Sequence, residues 1–99
     1  MERRIVLTPR ARADLAEIWA YTAREWSPGQ AERYLGGLRT IFALLAASPE
    51  IARLRSEITP PVRLHPYRSH LIIFQHDAAV LDVLRVVHAR SDWLDLLAK

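Results

Sequence analysis

The chain has 99 residues, 51% of them hydrophobic and 25% charged, with 14 Lys+Arg against 11 Asp+Glu and no cysteine. That length predicts one domain over residues 1–99 with a single modest core, and the composition is that of a soluble globular protein. The missing cysteines exclude a disulfide framework, a cysteine-ligated metal centre and a thiol nucleophile, and no run nears the ~18 apolar residues of a membrane helix.

The opening run to Leu7 is too short for a signal-peptide core, so a cytoplasmic location is expected. Arg4 to Leu7 reads as a short strand ended by Thr8-Pro9, a helix-start signal in which the hydroxyl caps free N–H groups and proline suits the first helical position. Leu15, Ile18, Trp19 and Trp26 then recur at helical spacing, with Arg10, Arg12, Asp14, Glu17 and Arg24 mostly off the stripe. Ser27-Pro28-Gly29-Gln30 reads as a capping box opening a second helix whose stripe is Tyr34 or Leu35, then Leu38, Ile41, Phe42 and Leu45, stopped by Ser48-Pro49. Two capped helices with almost no connector predict an antiparallel hairpin. Gly36-Gly37 inside the second helix predicts a close approach there.

Glu50 to Pro61 reads as a loop. Val62 to His65 alternates as a short strand stopped by Pro66. Ser69 to His76 and Val80 to Val87 are apolar on both faces, as central strands covered on each side would be, with Asp77-Ala78-Ala79 as their turn. The tail after His88 is a loop that closes in a short helix capped by Ser91 or Asp92. The predicted class is α+β in two layers: an N-terminal strand, then the helical hairpin packed on a small antiparallel sheet, in the order β-α-α-β-β-β.

Of the 14 basic residues 13 are arginine, whose planar fork suits carboxylate and phosphate. Arg63, His65, Tyr67 and Arg68 gather around the Pro66 turn, and Arg85, His88 and Arg90 around the last strand. Alternation places Arg85 on the face of Val83 and Val87, where a charge needs either an opening to an anion or an internal mate such as Asp82, Asp92 or Glu57. The four histidines lack the paired spacing of metalloprotease zinc sites, and there is no phosphate-binding glycine loop, so neither metal nor cofactor is expected. Trp19 and Phe42 read as core, while Tyr21 falls off the stripe as a candidate anchor for a partner segment.

The stretch from Leu7-Thr8-Pro9 through Asp14-Leu15 and Ile18-Trp19 to Tyr21 resembles the first-helix signature of the ParE/RelE toxin superfamily of bacterial type II toxin–antitoxin systems. Tyr67-Arg68 and the ending Val83-Leu84-Arg85-Val86-Val87-His88-Ala89-Arg90-Ser91-Asp92-Trp93 are similar to the ParE branch. The resemblance implies a toxin neutralised by a cognate antitoxin in a hetero-oligomer. ParE-like members poison DNA gyrase, and RelE-like members cleave ribosome-bound mRNA. On the first branch Arg85, His88, Arg90, Asp92 and Trp93 would face the target, with no enzymatic step and no specific nucleic-acid binding. On the second, Arg63, Arg68, Arg85, His88 and Arg90 would serve a metal-independent endoribonuclease. A third reading is an inactive binding module of the same fold. The tail, the lack of a tyrosine after Tyr67 and the modest net charge of +3 favour the gyrase-directed branch. For the antitoxin, Tyr21, Arg63, Tyr67, Arg68 and Arg85 are the expected contacts, the arginines meeting acidic groups.

Overall fold

A computed structural model describes residues 3–98, so Lys99 lies outside the described residues. The elements are β1 (Arg4–Leu7), α1 (Pro9–Glu25), α2 (Pro28–Ala47), β2 (Arg53–Arg55), β3 (Val62–Tyr67), β4 (His70–His76), β5 (Val80–His88) and α3 (Trp93–Ala98), with a 3₁₀ turn at Pro49–Ile51. The helix starts follow their sequence signals. Thr8 Oγ1 accepts from Ala11 N–H at 3.0 Å and also donates to Leu84 O at 2.7 Å, which pins the start of α1 to β5. Ser27 Oγ accepts from Gln30 N–H at 3.0 Å, but the box is not reciprocal: Gln30 Oε1 accepts from Arg33, and Ser27 N–H goes to Thr22 O.

The sheet order is β1-β5-β4-β3-β2. It is mixed, because β1 joins β5 in parallel while the other neighbours are antiparallel. A hairpin of helices lies between β1 and the rest of the sheet in sequence, and that long crossover permits the parallel pairing. The segment read as a loop contains the 3₁₀ turn and β2, a three-residue edge strand. Contrary to the expected stop, β3 continues through Pro66 to Tyr67. β2 covers β3 only from Val62 to Leu64, so the missing N–H of Pro66 falls on an open edge, where proline is tolerated.

The hairpin covers one face of the sheet: Ile18, Leu35, Leu38, Phe42 and Leu45 pack on Ile72, Phe74, Leu81, Val83 and Val86. The other face buries Val62, Leu64, Ile73 and Val87 beneath Trp93, Leu96 and Leu97 of α3. Burial of such side chains stabilises by about 1.5–3 kcal/mol each. Phe42 is core as expected, whereas Trp19 is 37% and Trp26 76% exposed. Trp26 lies just past the end of α1, where helical spacing no longer places it on the stripe.

The predicted turn between β4 and β5 forms on Asp77, whose Oδ1 accepts from Ala79 and Val80 N–H, both at 2.8 Å. Those bonds hold its carboxyl below the ordinary range. Close approach at the glycine pair is confined to Gly37, where an added Cβ would lie 1.8 Å from the Tyr67 hydroxyl oxygen and 2.8 Å from its ring; nothing stands within 4 Å at Gly36. Gly36→Ala should therefore stabilise α2 by up to ~1 kcal/mol, and Gly37→Ala should destabilise by about 1–3 kcal/mol by driving Tyr67 aside. Thermal melts of the two variants should shift in opposite directions.

Candidate functional site

A bulge in β5 builds the site. Ile73 pairs with Arg85 and Phe74 with Val83, which leaves Leu84 as the extra residue. The bulge turns Leu84 and Arg85 to the same side, so Arg85 shares a face with Val87 but not with Val83, correcting the alternation read from sequence. β1 pairs with β5 only from Val80 to Val83, so the edge beyond is free of strand. There Asp14 of α1 stands in for a strand carbonyl: its Oδ2 accepts from Val86 N–H at 3.0 Å. The same carboxylate takes two bonds from Arg85, Nε at 2.8 Å and Nη2 at 2.9 Å, while Nη1 donates to Leu96 O of α3 at 2.9 Å. The side chains of Arg85 and Asp14 are only 15% and 12% exposed. Asp14 thereby holds Arg85 further toward its charged form. The internal mate of Arg85 is thus Asp14, not Asp82, Asp92 or Glu57.

Above this pair a cleft of ≈ 760 Å³ opens between α1 and the end of β5, with Ile18, Tyr21, Trp26, Val86 and Leu96 as its apolar lining and His70 and His88 at one end. Tyr21 is 57% exposed, as its place off the stripe predicts. Trp19 turns away from the cleft and donates its indole N–H to Glu32.

A ring cluster closes the end of the sheet. Tyr34 and Tyr67 meet edge to face at 5.2 Å, Tyr34 and His70 at 5.5 Å, and His70 and His88 at 5.7 Å. The Tyr34 hydroxyl and His70 Nδ1 are 2.7 Å apart. Burial, then the neighbouring His88, push the pKa of His70 down, disfavouring its charged form. His88 is exposed, and its Nδ1 accepts from Arg90 N–H at 3.1 Å.

The remaining expected site residues are dispersed. Arg63 donates to Ala52 O at 2.9 Å and to His76 Nε2 at 3.3 Å. It sits four residues before Tyr67 in β3, roughly 13 Å along the strand. Arg68 occupies the β3–β4 hairpin with φ 51° and stacks on Tyr67 at 5.7 Å. Arg90 is exposed. Asp92 caps α3, its Oδ1 facing Asp95 N–H at 3.4 Å, and Trp93 lies 5.1 Å from the guanidinium of Arg55, a contact the sequence did not suggest. Asp14, Tyr34 and His70 are not among the site residues expected from the sequence. For Asp14 a signal existed: an acid beside the buried stripe of α1 complements a lone arginine in an apolar strand.

The family model described as "ParE toxin of type II toxin-antitoxin system, parDE" matches residues 5–93. The chain belongs to this ParE toxin family. It is 39% identical over 93 residues to Toxin ParE1 of Mycobacterium tuberculosis (strain CDC 1551 / Oshkosh), covering 93% of this chain and 95% of that protein. It is 34% identical over 94 residues to Toxin ParE of Escherichia coli, covering 94% and 91%. Among solved structures, a chain of the "Chromosomal ParDE TA system from P. aeruginosa" has the same fold, with a TM-score of 0.74 at 18% identity, covering 88% of this chain and 96% of that one. The ParE match includes Asp14, Arg85 and the cleft-lining residues other than Leu96.

Proposed function

We propose that this ParE family member is the toxin of a type II toxin–antitoxin pair, that it inhibits DNA gyrase by binding, and that its antitoxin neutralises it by seating a segment in the cleft between α1 and β5. The observation that carries this reading is the state of the cations. A metal-free ribonuclease needs a base, an acid and free positive charge converging on one phosphate. Here two of the four candidate arginines are taken, Arg85 by Asp14 and Leu96 and Arg63 by Ala52 and His76 at a distance from His88. An apolar cleft walled by exposed aromatics suits a partner's amphipathic segment instead. The pair acts in the cytoplasm; among the described residues no helix is long and apolar enough to cross a membrane. Induced expression should arrest growth, and co-expression of the neighbouring reading frame should restore it. Growth unaffected by the toxin would overturn the proposal in favour of an inactive binding module.

Arg68 is the arginine best placed for acidic groups of the antitoxin, because it is exposed at the hairpin tip. Its left-handed backbone costs a non-glycine residue about 1–2 kcal/mol, so the side chain is held there against a conformational preference. Arg68→Gly should stabilise the free toxin by about 0.5–1 kcal/mol after allowing for glycine's entropy, while reducing the salt dependence of antitoxin association. Urea titration and association rates at two ionic strengths check both parts.

A further inference from the structure

We propose that Asp14 and Arg85 are positioning residues through which occupancy of the cleft sets the placement of α3. The inference rests on the cleft being the antitoxin site. One guanidinium holds both layers: Nε and Nη2 grip Asp14 on α1, and Nη1 holds the Leu96 carbonyl of α3 at 2.9 Å. Asp14, Arg85 and Leu96 all line the cleft, so an occupant meets both ends of the link directly. α3 has six residues and none is buried. A helix that short has no stability of its own, so its order comes from its contacts. Those include the apolar seat of Trp93, Leu96 and Leu97 on the sheet, the Arg55 guanidinium 5.1 Å from the Trp93 ring, the Asp92 cap and the bond from Arg85. A segment entering the cleft with a donor for Asp14 draws the carboxylate from Arg85, and the guanidinium then re-orients on Leu96 O. The readjustment reaches Trp93 one turn earlier, on the face of the sheet opposite the hairpin.

The three tryptophans allow a direct test in the full chain. Trp26 lines the cleft, Trp93 sits on α3, and Trp19 lies outside both, bonded to Glu32. With 5-fluorotryptophan incorporated and the signals assigned by single Trp→Phe variants, the protein is titrated with the product of the neighbouring reading frame and followed by fluorine NMR. The Trp26 and Trp93 signals should both move while Trp19 stays. In Arg85→Lys, which keeps the charge but cannot hold both partners with one fork, Trp26 should still respond and Trp93 should lose most of its shift. Asp14→Asn, which keeps the side-chain shape, should behave likewise and serves if Arg85→Lys fails to fold. Movement of Trp26 with Trp93 unmoved in the wild type would overturn the coupling and leave the cleft reading standing. So would a full Trp93 response in the folded variants, which would mark a direct contact with α3. Binding that moves neither Trp26 nor Trp93 would overturn the cleft reading itself.

Discussion

Asp14→Ala should lower the stability of the domain by about 3 kcal/mol or more, because it leaves the Arg85 guanidinium buried without its counter-charge. The substitution also removes the acceptor of Val86 N–H, so a backbone donor at the open edge of β5 loses its partner. Both effects fall on one spot, the point where α1, β5 and α3 are joined. A domain of this size has a total stability of about 5–15 kcal/mol, and each kcal/mol shifts the melting temperature by about 4–8 °C. The melting temperature should therefore fall by about 12 °C or more. Arg85→Ala should cost less, since it leaves Asp14 in place as the acceptor of Val86 N–H. The double variant should cost less than the sum of the two, because the second truncation removes a charge already left alone. Urea unfolding of all three variants measures the cycle, and strict additivity would show that the two groups act independently.

Trp26→Ala should weaken antitoxin binding by about 2 kcal/mol or more, which is roughly 30-fold in Kd. A large aromatic at the wall of a cleft that a partner fills has the features of a hot spot: it brings wide apolar area and few rotatable bonds. Since the side chain is 76% exposed in the free toxin, the substitution should leave its stability within about 0.5 kcal/mol. Tyr21→Ala should act in the same direction with a smaller effect, as the smaller ring at the same wall. Trp19→Phe, outside the cleft, should leave the affinity unchanged. Calorimetric titration of the three variants separates these outcomes, and equal losses at Trp19 and Trp26 would move the binding surface to the outer face of α1.

Local signals carried most of the fold. Thr8-Pro9 and Ser27-Pro28 start α1 and α2 where the sequence places them, because caps act within one turn and need no tertiary context. The apolar runs in β4 and β5 are buried on both faces, and Asp77 makes their turn. What was not legible depends on long-range pairing. β2 is three residues in a polar stretch and exists as a strand only against β3. The parallel partnership of β1 with β5 joins residues far apart in the chain, Arg4 to Leu7 with Val80 to Val83. The bulge at Leu84 is visible only in the register with β4, and it sends Arg85 toward Asp14 rather than toward the mates nearer in sequence. Trp26 followed the period of α1 yet lies past the end of that helix, where periodicity has no authority.

The site was therefore half legible. Tyr21 could be singled out because it departs from a stripe, and Arg85 because it interrupts one. Asp14 sits next to the stripe without interrupting it, while Tyr34 and His70 meet only when α2 crosses the sheet end. The arginines that the sequence grouped by proximity are separated by their partners: Arg63 and Arg85 turn inward to other protein groups, and Arg68 and Arg90 remain at the surface.

The most direct test of the account is a supercoiling assay with purified gyrase, run beside programmed ribosomes carrying intact mRNA. The toxin should block supercoiling and accumulate cleaved DNA, its antitoxin should relieve the block, and the ribosome-bound mRNA should stay whole. Cutting of that mRNA at defined codons, abolished by His88→Ala and with gyrase unaffected, would contradict it.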